Sequence, residues 1–204
     1  MSKTDQKSLI PDLHLARMKN RSSLGSAEIF LDEKTSVKTV GMVYGIEHRI
    51  TGDDFQATLF LDHYNQRIRI KTYEGNNLSG LILKIRSIAT ANQFDKIFCM
   101  ALRRDWQAFL AHGYVLEAVL KYYRRGEDAF VVSKFRSQER LTSACLMEEI
   151  LLIEEILNRP KRLAEPSLPD GFEMRFARSE DVPQLAQLYR TIFESYPSPL
   201  VYPE

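Results

Sequence analysis

The sequence predicts an α/β (α+β) chain: a mixed β-sheet with packed helices, then a further helix, a proline-rich linker and a partial second α/β segment. Three observations carry this. Over residues 67–73, Ile68 and Ile70 alternate with Arg67, Arg69 and Lys71, the period of two of a strand with one buried and one wet face. Leu78, Leu81, Ile82, Ile85, Ile88 and Ala89 then recur at helical spacing. Residues 97–101, Ile-Phe-Cys-Met-Ala, form a continuous apolar run, the pattern of a central buried strand. A strand–helix–strand succession calls for a parallel, right-handed crossover. Residues 67–73 and 97–101 are therefore expected to be parallel neighbours.

Taken in order, residues 1–35 are polar and mixed, with Pro11 and the run Ser22-Ser23-Leu24-Gly25-Ser26, and are expected to form a flexible arm. Strands are expected at 40–48 and 55–61, the second bounded by Gly52-Asp53-Asp54. Asp62-His63-Tyr64-Asn65 is turn chemistry that joins 55–61 to 67–73 in a hairpin. Asn77 or Ser79 can cap the following helix. A short helix places Trp106, Phe109 and Leu110 on one face, with Gly113 where a left-handed C-cap belongs. Residues 115–123 and 129–135 read as strands around Arg124-Arg125-Gly126-Glu127-Asp128. Ser137 starts a third helix, with Glu139 near its positive end and Leu146, Ile150, Ile153 and Leu157 as its apolar stripe. Glu148, Glu149, Glu154 and Glu155 read as a solvated face.

Pro160, Pro166 and Pro169 break the chain into a linker. From Gly171 a short strand leads into an amphipathic helix. Ser179 caps it, Glu180 and Asp181 suit its first turn, and Pro183 is tolerated near its start. Val182, Leu185, Tyr189, Ile192, Phe193 and Tyr196 form its stripe. The expected organisation is an arm (1–35), a first domain with its C-terminal helix (36–158), a linker (159–170) and the start of a second domain (171–204).

Composition narrows the function classes. The 204 residues are 44% hydrophobic, and 28 Lys and Arg against 27 Asp and Glu give a net charge of +1. That balance offers no electrostatic footprint for nucleic acid. The start, Met-Ser-Lys-Thr-Asp-Gln-Lys, leads into no apolar segment, and no apolar run approaches the ~20 residues of a membrane helix. With Cys99 and Cys145 in apolar settings, the expectation is a reduced, cytoplasmic chain. His14, His48, His63 and His112 show no ligand spacing, so no metal is expected.

The order of elements, together with Phe60-Leu-Asp-His-Tyr-Asn-Gln-Arg-Ile-Arg-Ile70, Trp106-Gln-Ala-Phe-Leu-Ala-His-Gly-Tyr-Val-Leu-Glu117, Gly126-Glu-Asp-Ala-Phe-Val-Val-Ser-Lys-Phe135 and the terminal Tyr196-Pro197-Ser198-Pro199, resembles the beta-lysine N-acetyltransferases of the GNAT superfamily. The resemblance covers roughly residues 40–204. It implies a degenerate GNAT-like domain, a mixed sheet with helices on both faces, followed by the opening strand and helix of a catalytic GNAT domain. It also implies acetyl transfer from acetyl-CoA to the distal amine of beta-lysine. The product, N-epsilon-acetyl-beta-lysine, is a compatible solute.

That chemistry needs backbone N–H donors at a helix start for the pyrophosphate of coenzyme A, a deprotonated amine, and a proton for the leaving thiolate. The GNAT phosphate loop reads Gln/Arg-x-x-Gly-x-Gly/Ala. The corresponding stretch, Asn77-Leu78-Ser79-Gly80-Leu81-Ile82, matches only at Gly80. Phe109 stands where many GNATs have the thiolate-protonating tyrosine, four residues before Gly113. The first domain is therefore expected to be non-catalytic and to bind no cofactor, with the catalytic residues unassigned. In the family, the end of the first helix and the loop after it wall the acceptor pocket, which makes Glu194 and Tyr196 the candidate substrate-binding residues. Glu194 would pair with an ammonium, although an exposed charge is the plainer reading, and Tyr196 would stack on or hydrogen-bond the aliphatic chain. Expected partners are a small-molecule amine and neither nucleic acid nor membrane, with a homodimer one assembly open to the chain. The alternative reading is a non-catalytic GNAT-like scaffold or dimerisation module. In one version residues 171–196 pack back on residues 40–135 as a circularly permuted fold.

Overall fold

The computed structural model describes residues 26–41, 43–143, 145–160, 167–193, 196, 198 and 200–202. They divide into two compact units, one within Lys19–Thr142 and one within Ser143–Glu204. Most of the expected arm, Pro166 and Glu194 lie outside the described residues.

The first unit is built on a mixed six-stranded sheet. Strands β1 (Ser26–Phe30) and β2 (Ser36–Val40) form a separate antiparallel pair. Then come β3 (Gly45–Gly52), β4 (Phe55–Asp62), β5 (Arg67–Gly75), helix α1 (Leu78–Ala91), β6 (Lys96–Ala101), helix α2 (Trp106–Ala111), β7 (Val115–Arg124) and β8 (Glu127–Phe135). The sheet order is β3-β4-β5-β6-β8-β7. As the crossover argument requires, β5 and β6 are parallel, with Ile68 opposite Ile97 and Ile70 opposite Cys99. All other pairs are antiparallel.

The core lies on one face of the sheet. Leu59, Leu61, Ile68, Ile70, Ile97, Cys99 and Val132 meet Leu81, Ile82, Ile85, Ile88 and Ala89 of α1, all buried. From α2, Trp106 stacks on Phe130 with ring centroids 5.0 Å apart, and Phe109 is fully buried against Tyr73 and Tyr114. Within this unit α1 and α2 thus pack into one core cluster. The opposite face is finished by charge instead. Lys96 bonds Glu117 and lies 4.8 Å from the Phe135 ring, Glu117 accepts from Ser133, and Arg67 lies over Phe98. An antiparallel-rich sheet tolerates one such solvated face.

Several boundaries depart from the sequence reading. The strand expected at 40–48 is split between β2 and β3, because Gly41 takes a left-handed φ of +83° that a continuous strand cannot contain. Within the expected arm, Ser26–Phe30 forms β1. It is anchored because Asn92, just after α1, mimics a neighbouring backbone: its Oδ1 accepts from the Phe30 amide at 2.8 Å and its Nδ2 donates to the Phe30 carbonyl at 2.7 Å. Ile29 is fully buried as a result. Arg125 and Gly126 both have positive φ, the signature of a type I′ hairpin turn between β7 and β8.

The helix expected from Ser137 is two helices, α3 (Gln138–Leu141) and α4 (Leu146–Asn158). Ser137 does cap the first, accepting from the Arg140 amide. Thr142 is extended, and the Ser143 hydroxyl accepts from the Cys145 amide, local bonding that competes with a continuous helix. In the second unit, residues 172–178 join no ladder among the described residues, so the strand expected after Gly171 is absent there. A 3-10 turn (Ser179–Asp181) then leads into α5 (Val182–Ile192), the expected helix. Among the described residues no helix is long and apolar enough to cross a membrane.

Candidate functional site

The start of α1 is where a GNAT-type fold would offer amides to a pyrophosphate. Here most of those amides are already engaged. Asn77 Oδ1 accepts from the Gly80 amide at 2.8 Å, and the Asn77 carbonyl accepts from Leu81. The amides of Asn76 and Asn77 both donate to the Asp54 carbonyl, and that of Leu78 donates to Asn76. A Cβ on Gly80 would come within 3.0 Å of the Asn77 side chain. Gly80 therefore makes room for the cap, and its match to the phosphate loop is incidental. With these bonds made, the start of α1 offers a poor cradle for a pyrophosphate.

At the end of α2 the cap is a Schellman motif, with Tyr114 N–H bonding to Phe109 O and Gly113 N–H to Leu110 O. Gly113 has the left-handed φ of +79° that this motif needs. Phe109 takes the expected place four residues earlier, and its ring has no proton to give. The neighbouring phenol, Tyr114, is buried, and its ionisation is pushed upward by that burial. Burial likewise pushes the Cys99 thiol up to about 12, so neither is a ready acid or nucleophile at neutral pH.

Beyond Ile70 and Cys99 the β5–β6 ladder ends. Residue 71 is an extra residue in the β4–β5 register, where Thr58 faces Thr72 and Leu59 faces Ile70, and such a bulge bends its strand. Tyr73 spans the gap that follows. Its hydroxyl accepts from the Leu102 amide at 3.0 Å and donates to Asp105 Oδ2 at 3.0 Å. Burial is the main cause that drives its ionisation well above the usual tyrosine range. Arg124 donates to the Met100 carbonyl at 2.8 Å. The two strands splay around a cleft of about 690 Å³, lined by Arg69, Lys71, Met100, Leu102, Arg124 and Arg125, among others. The sequence reading placed Arg69 and Lys71 on the wet face but did not single them out. The Arg124-Arg125-Gly126 turn was the signal for the remainder.

In the second unit, Tyr196 packs against Tyr189 and Phe193, with centroid distances of 5.1 Å to each. That fixes one candidate substrate-binding residue on the α5 aromatic stripe. Upstream, Arg175 makes a two-pronged bond to Asp181, at 2.7 and 2.8 Å, and Asp181 also accepts from the Arg178 amide. The Arg175 bonds first, then the Arg178 amide, hold the Asp181 carboxyl far below its ordinary value. A carboxylate depressed in the folded state stabilises above its unfolded pKa and loses that contribution as pH falls. The 3-10 turn before α5 should therefore hold above about pH 4 and loosen progressively below it. The amide resonances of residues 178–182, followed from pH 6 to pH 2.5, check this. Asp181→Asn should remove the pH dependence. Among the described residues no cluster of His, Cys, Asp and Glu could hold a metal ion.

No family model matches the chain. It is 32% identical over 149 residues to an N-acetyltransferase, YodP, of Bacillus subtilis (strain 168), an alignment that covers 72% of this chain and 54% of that relative. It is 27% identical over 139 residues to a beta-lysine N(6)-acetyltransferase of Methanococcus maripaludis, covering 67% of this chain and 49% of that one. The chain resembles the GNAT beta-lysine N-acetyltransferases. It spans about half the length of these relatives. Among solved structures, a spermidine N-acetyltransferase from Vibrio cholerae aligns at 12% identity with a TM-score of 0.39, covering 64% of this chain and 93% of that one.

Proposed function

We propose that this chain belongs to an acetyl-CoA-dependent N-acetyltransferase that acts on the distal amine of beta-lysine. In this reading residues 36–158 are a non-catalytic GNAT-like domain, and residues 171–204 open the catalytic one. The observation that carries it is the similarity to two N-acetyltransferases, one of them named for beta-lysine, along most of the chain. The self-capped start of α1 and the buried Phe109 support the division of labour. Beta-lysine carries two ammonium groups and one carboxylate, so acetylating one amine leaves a net-neutral product, suited to accumulation as a compatible solute.

The test is steady-state kinetics on the full-length protein with each substrate varied in turn. Turnover of beta-lysine should exceed that of lysine, whose alpha-amine sits one carbon away from the position such a pocket would hold. Tyr196→Ala should raise KM for beta-lysine about five- to thirtyfold, the loss of one contact worth about 1–2 kcal/mol, and leave KM for acetyl-CoA nearly unchanged. No turnover of beta-lysine would sink the assignment, and an unchanged KM for beta-lysine in the variant would remove Tyr196 from the site.

A second reading, a non-catalytic scaffold, is favoured for the 204-residue chain by the same occupied amides at the start of α1. Both readings expect calorimetric titration of this chain with acetyl-CoA to show weak binding or none. A micromolar dissociation constant for this chain would show the first unit to be a working cofactor domain.

A further inference from the structure

We propose that the splayed cleft between β5 and β6 binds a small, doubly charged oxyanion, a dicarboxylate or a phosphate group. It goes beyond the acetyl-transfer reading and does not depend on it. Four cationic side chains, Arg69, Lys71, Arg124 and Arg125, line the cleft against one carboxylate, Glu127. That is a concentrated positive field in a chain whose net charge is only +1.

The surrounding charges leave the field in place. Lys71 is shared with the exposed Glu47. Asp128, the nearest other acid along β8, is taken up by Lys121 and Arg103 on its own account. Among the described residues neither Arg69 nor Arg125 forms an ion pair. Arg124 is held by the Met100 carbonyl, which orders its guanidinium without neutralising it. The type I′ turn fixes the backbone beneath Arg125.

The walls strengthen these charges. Ile70, Met100 and Leu102 give the cleft apolar sides, and low-dielectric walls focus a field of one sign. A planar guanidinium matches the paired oxygens of a carboxylate or phosphate. A diphosphate cofactor finds few free donors at the start of α1, because the amides of Leu78, Gly80 and Leu81 are engaged. The cleft therefore suits a compact ligand that presents two charges and buries a short carbon skeleton.

The experiment is calorimetric titration of the 204-residue protein with inorganic phosphate, with succinate and with coenzyme A in separate arms, at one ionic strength set by sodium chloride. Saturable one-site binding of phosphate or succinate is expected, and the arm that binds identifies the source. Arg69→Gln and Arg125→Gln should each weaken it about tenfold. Glu127→Gln should tighten it about threefold, an opposite sign that a folding defect would not produce. Non-saturating binding of both anions, or binding indifferent to all three substitutions, overturns the proposal. So does coenzyme A that competes with the anion and is lost in the same variants, since the cleft would then be a cofactor site.

Discussion

Replacing Phe109 with alanine should destabilise the first unit by about 3–5 kcal/mol, the range for truncating a buried aromatic side chain. The ring is fully buried, and edge-on packing against both Tyr73 and Tyr114 sets its position, with centroids at 5.8 and 5.1 Å. Denaturant unfolding followed by tryptophan fluorescence is suited to the test, because Trp106 lies one helical turn away on the same helix. A loss below about 1 kcal/mol would mean that the site collapses around the cavity. Phe109→Tyr separates packing from chemistry. It restores the phenol seen in many GNATs, yet Asn77 still caps α1. It should therefore cost stability through an added buried hydroxyl and confer no acetyl-CoA binding on this chain.

Asp62→Ala is expected to cost about 2–3 kcal/mol, because a buried carboxylate holds several donors at once. Asp62 is only 1% exposed. It accepts from the Asn65 amide at 2.9 Å, from Asn65 Nδ2 at 2.8 Å and from Arg67 Nε at 2.8 Å. Arg67 is partly exposed and can find water once released, which keeps the cost below that of a fully buried pair. The turn amides of Asn65 have less freedom. Chemical denaturation measures the effect, and Asp62→Asn, which keeps an acceptor oxygen, should recover part of it. Equal losses in the two variants would show that the charge, and not the turn geometry, carries the effect.

The sheet was legible because its signals are local. Alternation in residues 67–73, the helical spacing of Leu81, Ile82, Ile85 and Ile88, and the apolar run 97–101 each specify an element, and the crossover rule then sets β5 and β6 parallel. Elements held by distant partners were not legible. β1 depends on the Asn92 amide, 62 residues from Phe30, and nothing in the Ser26–Phe30 stretch announces it. The unpaired stretch 172–178 errs in the opposite direction: Phe172, Met174 and Phe176 alternate as a strand would, but a ladder needs a second strand. Of the candidate site, the Asn77-capped start of α1 and Phe109 were readable by position along the chain. The cleft was not, because it is made by two strands ceasing to pair, and the end of a ladder leaves no mark in composition.

The sheet of the first unit can be regarded as two leaves, β3-β4-β5 and β6-β8-β7, stitched along a short spine. The stitching is the pairing of residues 67–70 with 96–99, and above it the leaves are tied by the Tyr73 hydroxyl alone among the described bonds between β5 and the segment after β6. Together with the edge-on contact of its ring on Phe109, that one phenolic oxygen holds the pages at their free edge. Arg69 and Lys71 belong to one leaf, and Arg124 and Arg125 to the other. Anything lodged in the opening must grip both, and its hold is linked to the angle between them.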